Sequence, residues 1–241
     1  MLNKTSGIVL HYTNYSESSL IVKIYTRTHG LQSFIVSGVR SKKSKNKINL
    51  FQPLALVDLV FFENEKSTLH RISEITSAKP YSEIPYNFVK SSIALLLNEI
   101  LYKAIKEEHE NEELFDFINN SLQILDLKTE NCSNFHIYFM IHLTRYLGFF
   151  PQGEFGNDSS LFDLQEGKFV NYIPHHVMYL SSEKSKLLNQ FLNCNYDSIH
   201  LLQLTKVERK QLLQSLILFY QLHINSFGEI KSIEVLEEVL S

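Results

Sequence analysis

The hydrophobic period of this chain changes once, at Ile84-Pro85, from about two residues to about 3.6. Before that point, short segments rich in β-branched and aromatic residues partly alternate apolar and polar positions, the signature of half-buried strands. Residues 7–15, 19–28 and 31–37 read as three strands of a meander, with His29-Gly30 supplying a turn. A fourth strand follows Pro53 at about 54–62, and the polar turn Glu63-Asn64-Glu65-Lys66-Ser67 leads to a fifth at about 68–77.

After the switch the pattern is helical. Pro85 can sit near the first turn of a helix whose apolar positions include Phe88, Ile93, Leu96, Leu97, Ile100, Leu101 and Ile105. Further helices are predicted at about 114–125, 134–147 (stopped by Gly148 and Pro151), 182–192, 206–223 and 234–240. Residues 152–175 are irregular, with a small hairpin predicted over 161–169. Five short strands joined mostly by tight turns suit a small barrel better than an open sheet, and the five-stranded oligonucleotide/oligosaccharide-binding (OB) barrel is the leading candidate. The predicted architecture is α+β and multi-domain: an OB-fold nucleic-acid-binding domain over residues 1–80, then a mainly helical domain over 81–241 carrying the irregular insert at about 152–175.

Charge is distributed unevenly over these two parts. Residues 1–80 carry 11 Lys and Arg against 5 Asp and Glu, a balance of +6, while the remaining 12 against 21 leave −9 on residues 81–241. Much of the excess lies in Gly38-Val39-Arg40-Ser41-Lys42-Lys43-Ser44-Lys45-Asn46-Lys47, where five of ten residues are cations and none is an anion. Such a run cannot be core. By itself it reads as a solvated loop, but its place between two strands of a basic barrel points to a polyanion partner. Lysine and arginine neutralise phosphates with release of counterions, and aromatics on a barrel face can stack unpaired bases. Lys23 and Arg27, four apart on one predicted strand, share a face and are further phosphate-contact candidates. Tyr12, Tyr15, Tyr25 and Phe34 are candidates for stacking, set against the commoner role of strand aromatics as core.

Other chemistries find no support in the pattern. Cys132 and Cys194 are too few and too distant for a disulfide framework or a cysteine zinc site, and they read as buried thiols inside helical patterns. His136 and His142 are six apart, which does not place both on one helix face, and His175-His176 has no cysteine nearby. The eight glycines form neither a dinucleotide-binding nor a Walker loop, and no nucleophile elbow occurs. No catalytic residue, metal site or cofactor is predicted, and the acidic stretch Glu107 to Glu113 reads as a solvated inter-helix turn. No secretory signal and no apolar run of membrane-spanning length is visible, so a cytoplasmic protein is expected.

The spaced pattern Gly7-Ile8-Val9-Leu10, Tyr15-Ser16-Glu17-Ser18-Ser19-Leu20, Thr26 with Gly30, and Ser37-Gly38-Val39-Arg40-Ser41-Lys42-Lys43-Ser44-Lys45 resembles the opening of the RecO family of recombination mediator proteins. Tyr146-Leu147-Gly148-Phe149-Phe150-Pro151 and Gly228-Glu229-Ile230-Lys231-Ser232 resemble that family's helical domain. The resemblance implies a bacterial DNA repair and recombination protein of the RecF pathway. Such a protein binds single- and double-stranded DNA, anneals complementary strands and helps to load the recombinase RecA onto DNA coated by single-stranded-DNA-binding protein. It implies RecR and the C-terminal tail of the single-stranded-DNA-binding protein as partners, a nucleoid-associated location, and no covalent chemistry. The family's basic segment maps onto Arg40, Lys42, Lys43 and Lys45, with Lys47 continuing the run. Many members carry a four-cysteine zinc module after the Leu-Gly-aromatic landmark, whereas residues 152–172 contain no cysteine, so zinc is not expected and packing of the hairpin has to serve instead. For the tail, Lys103, Lys106, Lys206, Arg209 and Lys210 are possible cation suppliers. From composition alone, an RNA-binding OB module in RNA processing or translation is the alternative.

Overall fold

The computed structural model describes residues 2–39, 48–63, 68–106, 108–129, 131–156 and 160–240. The chain divides into two compact units, Met1–Ser82 with Asn98–Gln123, and Glu83–Leu97 with Ile124–Ser241. The first unit is built on five strands, β1 (Leu2–Asn14), β2 (Leu20–Thr26), β3 (Gly30–Val36), β4 (Leu56–Phe62) and β5 (Leu69–Ser77). They form a closed barrel in the order β1-β2-β3-β5-β4, with a parallel β3–β5 pair and all other pairs antiparallel. This is the OB barrel expected from the strand spacing.

Closure depends on β1. Its first half pairs with β4 from Leu2↔Phe62 to Ile8↔Leu56, and its second half with β2 from Gly7↔Thr26 to Asn14↔Leu20. The strand begins at Leu2, earlier than its apolar alternation indicates, because the polar residues Asn3, Lys4 and Ser6 are held by main-chain pairing to a strand over fifty positions away. The barrel interior is filled by Val9, Leu20, Val22, Ile24, Phe34, Phe51, Val57, Leu59 and Phe61, with Phe34 and Phe61 edge to face at 5.1 Å.

The β2–β3 turn is tied by Thr26, whose buried hydroxyl donates to the Gly30 carbonyl at 2.9 Å and accepts from the His29 amide at 3.1 Å. Gly30 lies at φ +63°, and a Cβ there would run into the His109 carbonyl oxygen and sit 2.8 Å from its amide nitrogen. Part of the predicted solvated turn is thus packed on the barrel. Two physical demands meet at this glycine, a left-handed backbone and a close backbone approach.

The first unit also holds the end of α1 (Phe88–Ala104) and most of α2 (Glu112–Leu127). In the second unit, Asn87 starts α1 by accepting the amides of Val89 (3.0 Å) and Lys90 (3.1 Å) on its side-chain oxygen, so Pro85 lies in the preceding turn and not in the first helical turn. Buried Asp126 accepts the Glu83 and Ile84 amides at 2.9 and 2.8 Å and fixes that turn. The centre of the unit is α3 (Phe135–Tyr146), joined to α5 (Lys206–His223) by the Tyr220 hydroxyl donating to the Met140 carbonyl at 2.7 Å. A capping box of Thr205 and Glu208 sets the start of α5.

The insert forms a small sheet of β6 (Leu161–Asp163), β7 (Lys168–Val170) and β8 (Tyr179–Leu180), ordered β7-β6-β8. Phe162 packs on Phe169 at 5.0 Å and on Phe219 of α5 at 5.7 Å, which seats the hairpin on the helices through aromatic burial. The remaining helices are α4 (Ser182–Leu192) and α6 (Ile233–Val239). Cys132 and Cys194 are free and lie in irregular segments beside α3 and α4, not inside helices as their apolar surroundings suggest. Half-buried Cys194 is pushed up to about 11 by desolvation, so its thiol stays protonated near neutrality.

Replacing Gly30 by Ala should cost about 2–3 kcal/mol, the sum of left-handed strain and the clash at His109. Urea unfolding of the wild type and Gly30→Ala measures it, and a loss below about 0.5 kcal/mol contradicts the close packing of His109 on this turn.

Candidate nucleic-acid interface

Strand β2 presents opposite faces to opposite environments. Leu20, Val22 and Ile24 point into the barrel and are fully buried, so Lys23 and Tyr25 point outward. Tyr25 is covered, 1 % exposed, with Phe115 of α2 at 6.2 Å and its hydroxyl donating to the Asn111 carbonyl at 3.3 Å. Arg27, just past the strand, donates to Glu112 and Asp116, each at 3.0 Å. Lys23 instead stands with its ammonium over the ring of Tyr102 near the end of α1, 5.5 Å from the centroid.

A bulge in β1 adds a neighbour. The pairing runs Val9↔Ile24 and then His11↔Lys23, so Leu10 is the extra residue and His11 leaves the inward-facing set of Val9. Its ring lies 4.7 Å from that of Tyr102. Burial first, and the Lys23 charge second, lower the His11 pKa, which keeps the imidazole neutral near pH 7. Lys106 also sits over Tyr102, at 5.9 Å, and its pKa is lowered by desolvation and then by the charges of Lys23 and Lys103.

The long basic run has well-defined ends. Val39 is buried in the barrel core with its amide donating to Ser18 at 3.0 Å, and Gly38 before it takes φ +74° with open space beside it. The chain re-enters at the 3-10 turn Ile48–Phe51, where Phe51 is fully buried. Arg40, Lys42, Lys43, Lys45 and Lys47 themselves lie outside the described residues.

Of the stacking candidates, Phe34 is core and Tyr25 is buried under α2, so neither can meet a base. Alternation along β2 could not reveal this, because its outer face is covered by a segment far away in sequence. Tyr12 is partly buried on the barrel core, and Tyr15, 62 % exposed, remains accessible. Tyr102 with Lys106 is the feature the sequence reading missed. Nothing local to the end of a helix signals that it lies against Lys23.

In the second unit, α5 and α6 border a cavity of about 260 Å³ lined by His136, Lys206, Val207, Arg209, Lys210, Leu213, Leu236, Glu237 and Leu240. Its exposed wall is mostly apolar, and three cations and the Glu237 carboxylate stand around it. Arg209 is fixed by donating to Asn134 at 3.0 Å and to the Leu204 carbonyl at 3.2 Å, and Lys210 pairs with Glu237 at 2.7 Å. Among the described residues neither ring nitrogen of the fully buried His136 has a hydrogen-bond partner. Desolvation, with the Arg209 charge second, pushes its pKa down to about 3. Among the described residues no group of three or more His, Cys, Asp or Glu is placed to hold a metal ion, and no helix is long and apolar enough to cross a membrane.

A closed five-stranded OB barrel followed by a helical region defines the class, a barrel-bearing protein with a helical second part. The family model described as Recombination protein O N terminal matches residues 1–81, and that described as Recombination protein O C terminal matches residues 85–232. The chain is 40 % identical over 241 residues, all of both chains, to the DNA repair protein RecO of Phocaeicola vulgatus. It is 39 % identical to that of Bacteroides fragilis over 240 residues, and 36 % to that of Flavobacterium psychrophilum over 239, each comparison spanning 99 % of both chains. The chain belongs to the RecO family of DNA repair proteins.

Because His136 is neutral in the folded protein and ionises near 6.5 when unfolded, the unfolded state binds the extra proton below that value. Stability from this group is complete above about pH 6.5 and is lost as pH falls toward the folded value of about 3. Between pH 7 and pH 5 the wild type should therefore lose about 2 kcal/mol more than His136→Leu. Urea titrations of both proteins at the two pH values check this; parallel losses would place the protonated imidazole within reach of water or an acceptor.

Proposed function

We propose that this chain is a DNA repair mediator that works by binding. It holds single- and double-stranded DNA on the barrel side, anneals complementary strands, and helps to load RecA onto DNA coated by single-stranded-DNA-binding protein, together with RecR in the RecF pathway. It acts in the cytoplasm, on the nucleoid, and makes or breaks no covalent bond. The observation that carries the reading is membership of the RecO family over both matched domains, combined with the net positive charge of residues 1–80. Family membership favours DNA over the RNA-binding alternative, and a competition with matched RNA and DNA oligonucleotides separates them.

In this reading Arg40, Lys42, Lys43, Lys45 and Lys47 contact phosphates, and Lys23 extends their reach. Such contacts give affinity and register without sequence readout. Arg27 belongs to the same outer side, but a phosphate would have to displace both Glu112 and Asp116 to use it, so its main contribution is to tie the β2–β3 turn to α2. Replacing Arg40, Lys42 and Lys43 together by Ala should lower the log–log salt slope of single-strand binding by about 0.7 per lost phosphate contact, and slow annealing of DNA coated by its cognate binding protein. An unchanged slope in the triple variant moves the site off this segment.

The acidic, aromatic-ended tail of the single-stranded-DNA-binding protein is assigned to the cavity between α5 and α6. Of the five possible cation suppliers, Lys206, Arg209 and Lys210 line it, whereas Lys103 and Lys106 belong to the barrel unit. An apolar wall with Lys206 and Arg209 beside it, and Lys210 shared with Glu237, suits a peptide bearing carboxylates beside an apolar end. Lys206→Glu with Leu213→Asp should weaken binding of a synthetic tail peptide at least tenfold in a fluorescence titration while leaving DNA affinity intact. Unaltered peptide affinity in a folded variant excludes this cavity.

A further inference from the structure

The cluster at the end of α1 is built from groups that repel one another. Two ammoniums, Lys23 of β2 and Lys106 after α1, converge on the single ring of Tyr102, and Lys103 stands next to that ring in the chain. Lys103 is engaged by Glu99 at 3.5 Å. Among the described residues no carboxylate pairs with Lys23 or Lys106. The nearby imidazole of His11 brings no negative charge and lies against Tyr102 itself. Lys23 is half-buried and Lys106 exposed, so an anion has access to the pair.

Like charges brought onto one ring of an ordered scaffold, with no carboxylate paired to either among the described residues, make a positive locus suited to an anion. Each element is also fixed by something other than the lysines. Lys23 lies in the middle of a strand paired on both sides, to His11 and to Ser33. Tyr102 is set by α1, and the bulge at Leu10 brings His11 against its ring. The ring therefore acts as a spacer that holds two ammoniums near each other while both keep hydrogen-bond donors free for a ligand.

We propose that Lys23 and Lys106, positioned by Tyr102, form a second phosphodiester site on the barrel unit, which holds the backbone of the same DNA strand that the 40–47 segment engages. The proposal rests on the DNA-binding reading above and extends it to a helix that the barrel alone does not include. Lys23 lies three residues along β2 from Leu20, the partner of Val36, where β3 gives way to the basic run. At about 3.3 Å per residue this is roughly 10 Å from Lys23 to the end of β3, a length that one strand of DNA spans in a few nucleotides. The ligand is a phosphate backbone and not a stacked base, since the ring of Tyr102 is already engaged by the two cations and His11.

The test is a salt titration of oligodeoxythymidylate binding by the full chain, comparing wild type, Lys23→Gln/Lys106→Gln, Tyr102→Leu and, as a control for charge alone, Lys186→Gln on the exposed surface of α4. The double variant should lower the log–log slope by at least about 0.7, the share of one single-strand phosphate. Tyr102→Leu, which keeps both charges but removes their spacer, should weaken binding at least threefold at fixed salt, and Lys186→Gln should match the wild type. Thermal unfolding of each variant shows that it is folded. A double variant with the wild-type slope overturns the second site while wild-type binding stands. A wild type with no salt-dependent DNA binding removes the underlying reading instead, so the two failures are distinct. A slope that Lys186→Gln lowers equally also overturns the proposal, since net charge and not the cluster would then set it.

Discussion

The structure of the first unit depends on β1 serving two partners. A thirteen-residue strand cannot pair with β4 along one half and β2 along the other while staying straight, and the bulge at Leu10 provides the bend. Closure removes the sheet edges that an open five-stranded sheet would expose. The same bulge changes which side chains face outward. Val9 faces the core and His11 does not, although two residues apart on a regular strand they would share a face. The surroundings of Lys23 are thus a by-product of the device that closes the barrel.

The balance of forces around Tyr102 is close. The two ammoniums are no more than about 11 Å apart, the sum of their distances to the shared ring. At that separation their repulsion is about 0.4 kcal/mol in a water-like medium and about 1.5 kcal/mol at an effective dielectric near 20. Each cation–π contact returns about 0.5–1 kcal/mol. The two contacts together return about 1–2 kcal/mol, comparable with the repulsion, and they leave both charges in place. Arg27, a few residues away, shows the opposite solution. Its charge is matched by two carboxylates, so it contributes a local tie of the modest strength expected of half-exposed ion pairs.

What the sequence revealed follows from the range of the interactions involved. Strand and helix patterning is local, and the helices at 182–192 and 206–223 fall where Ser182–Leu192 and Lys206–His223 are found. The five strands and the barrel follow from alternation and turn spacing. The burial of Tyr25, the neutralisation of Arg27 and the approach of His109 to Gly30 all depend on residues near 109–116 returning to the barrel, a contact across some eighty positions that no local pattern encodes. The acidic stretch looked solvated because its charges had no visible partner in sequence. Glu112, at its end, finds one in Arg27.

The same reasoning shows how a protein of net negative charge can hold a local group of cations. A net charge of −3 opposes approach to a polyanion only to the extent that distant charges are felt, and at physiological salt they are screened beyond about 8 Å. The ammoniums of Lys23 and Lys106 both stand over the Tyr102 ring, and the charges of Lys23 and Lys103 act on Lys106, while the carboxylates of Glu112 and Asp116 are occupied by Arg27. Local arrangement, not the sum over the chain, then decides what a phosphate encounters. The acidity of the remaining sequence can be spent on the fold, as at Asp126, which holds the turn before α1, and Glu208, which caps α5.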